Sequence, residues 1–346
     1  MVAPTTPPKN AFNAYARKVY NPLGFSKGYN FVLWFIFAGA LFGFCLSRFM
    51  YLSFDTFCYG APGGGAAPGE CYYYTNFNTA RVGITLHLAG VLPAGIIACL
   101  QFTPVIRHKA IIVHRIGGYI ALLAYFTSLA GALMIARHSF GGGIDVQSAV
   151  YVLALMTTVS FVLSYINIKK LQIEQHRAWM LRGWFYASCI ITNRIILILS
   201  TIIISKVGDY RTAWPCAKIA YTIADDAKTQ RLYPECASYL NGTDSKQYST
   251  VRARFGGEQT SAAEIGAAFN MTFGMALWVA MAIHAVGVEI YLHLTPREAE
   301  RLRNVSYQRQ LEAGMKSPGA SGLTTDRLGD SEKWVPLSAR KSSEGH

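Results

Sequence analysis

Long apolar runs alternate with short polar connectors along this chain. Six of the runs hold enough consecutive hydrophobic residues to cross a hydrocarbon layer of ~30 Å as helices, which rise ~1.5 Å per residue. The predicted spans are 31–54, 82–102, 116–136, 148–168, 178–205 and 269–294. The pattern therefore predicts an all-α polytopic membrane protein with six transmembrane helices.

The lengths of the connectors predict how the spans are grouped. From 82 to 205, connectors of roughly nine to thirteen residues join four spans, and such lengths favour antiparallel neighbours. We expect two hairpins, 82–136 and 148–205, that form a four-helix core. The polar stretch 206–268 is too long for a turn and predicts a small lumenal or extracellular subdomain.

Polar segments lie at both ends of the chain. Residues 1–30 lack the apolar core of a signal peptide. After the sixth span, Thr295-Pro296-Arg297-Glu298 has the pattern of a capping box, which predicts an amphipathic helix to about Gly314. The rest of the tail, which runs to residue 346, is rich in Ser, Gly and Pro and is expected to be disordered.

The distribution of charge predicts the orientation in the membrane. The segments 1–30, 104–115, 169–182 and 295–346 together carry 20 Lys and Arg against 8 Asp and Glu, whereas the other face carries 10 against 10. A basic excess marks the cytoplasmic side, so both termini are expected there. The net charge of +13 is spread over loops and tail without a basic groove, which argues against nucleic-acid binding. Membrane lipids are the expected partners.

Cysteines and a glycosylation sequon support the same orientation. Cys58, Cys71, Cys216 and Cys236 all fall in the outer loops, where disulfides form, and Asn241 begins an outer Asn-Gly-Thr sequon. Cys58–Cys71 and Cys216–Cys236 are the local pairings, although four thiols allow three connectivities. Together these features predict a glycoprotein of a eukaryotic endomembrane or plasma membrane.

Ionisable residues inside the spans are the candidates for chemistry, because a charge in hydrocarbon is costly. His114-Arg115 and His176-Arg177 each enter an apolar run after a short basic loop, and Arg182 lies a turn and a half deeper. His87 and Arg194 form a second candidate layer nearer the outer face. If the fifth span is straight, His176 and Arg194 share one of its faces.

Haem b is a cofactor that this pattern could bind. Six-coordinate haem needs two neutral imidazoles at matched depth on opposed helices, with arginines near the propionates. We predict His114 and His176 as iron ligands. The candidate cofactor-binding set also contains Arg115, Arg177, Arg182, His87 and Arg194.

Other interpretations stay open beside a haem-binding redox protein. A His-Arg pair at a helix mouth is often a snorkelling charge at the lipid headgroups. The same inner layer could bind or convert a lipophilic small molecule without redox chemistry, and a non-catalytic scaffold is a further alternative. The sequence contains no HExxH, CxxC or Gly-x-Ser-x-Gly motif, so it does not indicate a metalloprotease, thiol-redox enzyme or ordinary hydrolase.

A family resemblance covers about residues 85–201. The residues that carry it are His87, Gln101-Phe102, His114-Arg115-x-x-Gly118-Tyr119, Gly131, His176-Arg177-x-Trp179-Met180-x-Arg182 and Arg194. They resemble the predicted-membrane-protein family called domain of unknown function 2306 (DUF2306). The resemblance implies a helical membrane domain without an assigned reaction. The two His-Arg junctions are also distantly similar to those of diheme transmembrane cytochromes b, but a second histidine pair is missing.

Overall fold

The computed structural model describes residues 7–8, 10–60 and 65–337. Within them, six helical segments are long and apolar enough to cross a membrane, which confirms the predicted all-α polytopic class and the number of spans. The helices are α1 (Ala11–Tyr20), α2 (Gly28–Leu46), α3 (Phe54–Tyr59), α4 (Cys71–Asn76), α5 (Asn78–Gln101), α6 (Pro104–Lys109), α7 (Ile111–Ile135), α8 (Ile144–Lys169), α9 (Ile173–Ala187), α10 (Cys189–Val207), α11 (Cys216–Ile223), α12 (Asp226–Leu232), α13 (Ala237–Leu240), α14 (Ala262–His293), α15 (Pro296–Glu312) and α16 (Thr325–Leu328).

The spans are α2, α5, α7, α8, the pair α9–α10, and α14. In unit 1, which contains residues 1–150 and 191–277, α5 and α7 run antiparallel, because Gly83 lies against Gly131 and Gln101 lies against Gly117, so this hairpin has two ends. We call the outer end the one that carries residues 208–261, which lie between α10 and α14 and which we call the lid. The opposite end of this hairpin is called the inner end, and there α5 ends and α7 begins. In unit 2, the name inner end is given separately to the end where α9 begins and α14 ends.

All six predicted spans overlap observed helices with shifted ends, and two of them contain a residue at which the observed helix is broken. The first ends at Leu46 rather than at 54, because Ser47 and Arg48 both donate side-chain hydrogen bonds to the carbonyl oxygen of Phe44. The fifth is interrupted at Ser188, whose hydroxyl donates to the carbonyl oxygen of Trp184 at 2.8 Å. Such back-bonding bends helices, so a straight fifth span, the condition under which His176 and Arg194 would share a face, is not observed.

The chain folds into two compact units. Unit 1 comprises Met1–Val150 and Ile191–Leu277, and unit 2 comprises Tyr151–Ile190 and Trp278–His346. Glycines bring α5 and α7 of unit 1 into close contact, as the predicted hairpin requires. A Cβ atom at Gly131 would collide with the carbonyl oxygen of Gly83, and one at Gly90 with that of Ala124. We call this close contact between α5 and α7, formed at Gly83, Gly90, Ala124 and Gly131, the glycine seam.

The lid is a small disulfide-bonded subdomain of unit 1. Its strands β1 (Arg211–Pro215) and β2 (Tyr248–Arg252) pair antiparallel, with Arg211 opposite Arg252. This sheet was not predicted, because each strand has only five residues and β1 ends in proline. Cys216 pairs with Cys236 inside the lid core, and Cys58 pairs with Cys71 in the loop after α2. Both predicted disulfides are confirmed.

Unit 2 contains an ordered tail that the sequence did not predict. The backbone N–H groups of Gly322 and Leu323 donate to the side chains of Gln172 and Asn167, each at 2.8 Å. Arg303 on α15 pairs with Asp326 at 2.7 Å. The prediction of disorder is therefore wrong for residues 315–337, because buried amides supply partners that composition does not reveal, and 338–346 lie outside the described residues.

The capping box at the start of α15 is also absent. The hydroxyl of Thr295 donates to the carbonyl oxygen of Tyr291 at 3.0 Å instead of accepting from the first turn of α15. Glu298 pairs with Arg301 at 2.7 Å.

Candidate functional site

The motif His176-Arg177-x-Trp179-Met180-x-Arg182 lies on α9, where unit 2 brings its polar side chains into contact with α8 and α14. On the α8 side, His176 Nδ1 lies 2.8 Å from Ser164 Oγ and 3.1 Å from the Ser164 carbonyl oxygen. The Ser164 hydroxyl is also 3.0 Å from the carbonyl oxygen of His176. These contacts hold the imidazole against α8.

On the other side of α9, three hydrogen-bonding contacts join it to α14, which runs antiparallel to it. Arg177 donates to the hydroxyl of Tyr291 at 3.1 Å. Arg182 donates two hydrogen bonds to the carboxylate of Glu289, at 2.6 and 2.9 Å. Farther along, His284 Nδ1 lies 2.6 Å from the carbonyl oxygen of Phe185.

The Arg182–Glu289 pair is open on one side. The exposed fraction of the side chain is 20% for Arg182 and 39% for Glu289. The guanidinium also lies 4.6 Å from the ring centre of Trp179, so an aromatic face covers part of the cation. The pair therefore presents hydrogen-bond donors and acceptors within a membrane-spanning region.

A shallow groove follows α14 beside this pair. It has a volume of about 540 Å³ and is lined by Ala285, Val286, Glu289, Ile290, His293 and Leu294. Four of these six side chains are apolar, and Glu289 belongs to the ion pair with Arg182. The groove thus combines a hydrocarbon surface with one charged hydrogen-bonding group. The sequence did not single it out.

His114 lies at the inner end of unit 1, in the first turn of α7. Its Nδ1 atom and the Oε1 atom of Gln101 are both buried and have no hydrogen-bond partner among the described residues. Gln101 lies against Gly117, one turn along α7, where a Cβ atom would collide with its side-chain nitrogen. Arg115, the next residue of the motif, is exposed.

The predicted haem ligands belong to different units, His114 to unit 1 and His176 to unit 2. Their pairing on one iron stays a prediction.

His87 and Arg194, the outer candidates, both have defined surroundings in unit 1. His87 Nδ1 lies 3.0 Å from Ser128 Oγ and 3.2 Å from the Ser128 carbonyl oxygen, across the glycine seam. Arg194 lies over the stacked rings of Phe140 and Phe273, at 4.8 and 5.5 Å from their centres. Two cation–π contacts therefore surround this cation inside unit 1.

The segment that contains both His-Arg junctions is also the part of the chain that matches a known protein family. Residues 84–225 match the predicted membrane protein family DUF2306. The match confirms the resemblance and extends beyond the predicted core into the lid. Over 252 residues, the chain is 24% identical to "Ava biosynthesis cluster protein G" of Aspergillus versicolor, a similarity that covers 64% of this chain and 72% of that protein. No solved structure matches the chain.

The DUF2306 segment includes Lys218, one of three residues that sequence reasoning missed. Lys218 and Glu70 are 1% and 2% exposed, and Asn270 connects them in unit 1. Asn270 accepts from Lys218 Nζ at 3.2 Å and lies 3.4 Å from the Glu70 carboxylate. The backbone N–H of Phe140 also donates to Glu70, at 2.8 Å.

Burial governs the electrostatics of this outer network. It raises the pKa of Glu70 above its usual range, against the opposing effect of the Lys218 charge. It lowers the pKa of Lys218, whose ammonium lies 3.7 Å from the ring centre of Trp214. Glu70 adjoins Cys71 and Lys218 follows Cys216 by two residues, so proximity to disulfide cysteines was the available signal.

Proposed function

We propose that this protein binds a lipophilic small molecule with one polar group, in the inner half of the unit 2 spans. The observation that carries the proposal is the Arg182–Glu289 pair beside the apolar groove of α14. The polar group of the ligand would hydrogen-bond to this pair, and its hydrocarbon part would lie along Val286, Ile290 and Leu294.

The energetics of charges in hydrocarbon support a ligand at this place. An ion pair in a membrane span is costly unless its hydrogen-bonding capacity is satisfied. Arg182 and Glu289 bind each other on one side, and Glu289, whose side chain is 39% exposed, also lines the groove. A hydroxyl or carbonyl group could accept from Arg182 or donate to Glu289, and apolar neighbours would keep water away from the contact.

The comparison with a known protein supports a link to biosynthesis. The name of the Aspergillus versicolor relative refers to a biosynthesis cluster. A lipophilic intermediate of small-molecule biosynthesis is therefore the kind of ligand we propose here. This choice corresponds to the non-redox interpretation of the inner polar layer.

A photoaffinity experiment tests the proposal. The probe is a long-chain alcohol that carries a diazirine, added to the full-length protein in nanodiscs. We expect labelling of residues 285–294 to fall at least fivefold in Arg182→Met and Glu289→Gln. Arg303→Met is the matched control, because it breaks another ion pair of unit 2 without touching the groove. Equal labelling of wild type and both groove variants would refute the proposal.

Haem b is the second candidate, and one observation favours it. The contact of His176 Nδ1 with Ser164 is the kind of hydrogen bond that orients a ligating imidazole. His114 Nδ1 has no such partner among the described residues. An absorption spectrum of the purified protein separates the candidates, because haem would give a Soret band that His176→Ala abolishes.

We also propose that the termini are cytoplasmic, that the lid is lumenal or extracellular, and that the protein resides in a eukaryotic membrane. The support is the basic excess of the inner segments and the two disulfides of the outer loops.

A further inference from the structure

We propose a second binding site, for the phosphate-bearing polyol headgroup of a membrane lipid, at the inner end of the α5–α7 hairpin. We call it the headgroup site and define it by Gln101, Arg107, His114 and Arg115. It lies in unit 1 and does not depend on the Arg182–Glu289 site.

Two unsatisfied polar atoms point to a ligand at this place. Gln101 Oε1 and His114 Nδ1 are buried, and neither finds a hydrogen-bond partner in the described part of the chain. A buried polar atom without a partner costs the free energy of its desolvation, so most buried polar atoms in native proteins have a hydrogen-bond partner. A ligand that supplies both partners removes this cost.

The backbone brings the two groups to one face of α7. His114, Gly117 and Gly118 are spaced by three and four residues, so they lie on the same side of the helix. Gln101, the last residue of α5, packs against Gly117, where a Cβ atom would collide with its side-chain nitrogen. The missing side chain at 117 therefore lets the amide reach the turn that follows His114.

The charge around the site favours an anion. Arg107 and Arg115 are the charged groups that act electrostatically on His114. The sequence contains no Asp or Glu from 71 to 144, so this segment supplies no carboxylate as a counter-charge. Phosphate oxygens would accept from the His114 ring N–H and from the guanidinium groups, and a headgroup hydroxyl would donate to Gln101 Oε1.

The apolar surface beside the site favours a lipid over a soluble phosphate. Ile112 and Val113 are 67% and 59% exposed in the first turn of α7, directly before His114. They lie at the end of a membrane span, where acyl chains would cover them. One molecule with an acyl chain and a phosphorylated polyol therefore fits both parts of the surface.

Lipid-dependent thermal stability tests the headgroup site. The full-length protein in detergent is titrated with phosphatidylinositol, phosphatidylcholine, soluble inositol phosphate or inorganic phosphate. We expect phosphatidylinositol to raise the Tm by about 5 °C at saturation and phosphatidylcholine to raise it much less. Equal responses to the two lipids would overturn the proposal. If inositol phosphate or inorganic phosphate raised the Tm as much as phosphatidylinositol does, the ligand of the headgroup site would be a soluble phosphate, and the proposal of a lipid ligand would be overturned.

Two variants separate binding from a structural role. Gln101→Leu and His114→Leu remove the unsatisfied atoms, so without lipid they should melt at or above the wild-type temperature while losing the response to phosphatidylinositol. Gln147→Leu is the matched control, because its amide donates to Gly142 at the opposite face of the membrane, and it should keep the response. A wild-type response in both headgroup-site variants would refute the site.

Native mass spectrometry of the wild-type protein provides a measurement that does not depend on folding of the variants. We expect it to retain phosphatidylinositol in preference to phosphatidylcholine when both are supplied in equal amounts. Retention without such a preference would contradict the proposal.

Discussion

Arg182 and Glu289 are 107 residues apart in the sequence, yet they form a bidentate ion pair between α9 and α14, with hydrogen bonds of 2.6 and 2.9 Å. Arg182 is the last residue of the motif His176-Arg177-x-Trp179-Met180-x-Arg182, within the DUF2306 match. The pair therefore connects the family-like segment of the chain with the last transmembrane helix.

The free energies of the Arg182–Glu289 pair should be strongly non-additive. Arg182→Met or Glu289→Gln alone leaves one charge in the membrane without its partner, and each should lower stability by about 2–3 kcal/mol. The double variant removes both charges and should lose less than the sum. Thermal unfolding of the four proteins in one detergent measures the coupling, and additive losses would show that the two side chains do not interact.

The glycine seam predicts a large effect from a small substitution. Gly131→Ala should lower stability by about 1–3 kcal/mol, because the new methyl group would meet the carbonyl oxygen of Gly83 and the backbone nitrogen of His87. Gly39→Ala is the matched control, since no described atom outside its own helix segment lies within 4 Å of a Cβ there. The two alanine variants are compared by thermal unfolding. Equal Tm values for Gly131→Ala and Gly39→Ala would contradict the close contact of α5 and α7 at Gly131.

Glu70 should give the stability of unit 1 a dependence on pH. Burial raises its pKa above its unfolded value of about 4.3, so the folded protein binds the proton more tightly. Stability from this group is fully present below the unfolded pKa and is lost as pH rises through the folded pKa. Glu70→Gln cannot titrate and should flatten this part of the profile.

Thermal unfolding between pH 4.5 and 8, run on wild type, Glu70→Gln and the exposed control Glu258→Gln, measures this dependence. Only Glu70→Gln should change the slope. If Tm changed with pH by the same amount in all three proteins, titration of Glu70 would not contribute to stability in this range.

Asn241 provides the test of orientation. Its sequon lies in an exposed turn of the lid, where Thr243 Oγ1 donates to the Asn241 side chain at 2.6 Å. If the lid is lumenal, enzymatic deglycosylation should increase the gel mobility of the wild type and leave Asn241→Gln unchanged. Unchanged mobility of the wild type, together with modification of a sequon placed in the C-terminal tail, would establish the inverted topology.

Some properties of this protein follow from local sequence. A run of about twenty apolar residues forms a helix in a bilayer because its backbone groups must bond within the segment, so the six spans could be predicted. The pairings Cys58–Cys71 and Cys216–Cys236 were also local, since each closes a short loop of 13 or 20 residues. The His-Arg junctions were visible for the same reason: they are contiguous strings.

Only the tertiary structure decided which polar groups meet. Glu70 directly precedes α4 and Lys218 lies on α11 of the lid, and their burial together depends on how the lid packs against Asn270. The ordered tail depends on amides at 167, 172 and 310, which lie on three different segments. The ion pair of Arg182 required a partner 107 residues away. Hydrophobic periodicity constrains a segment, whereas these contacts depend on the register of one segment against another, and that register arises only when the helices pack.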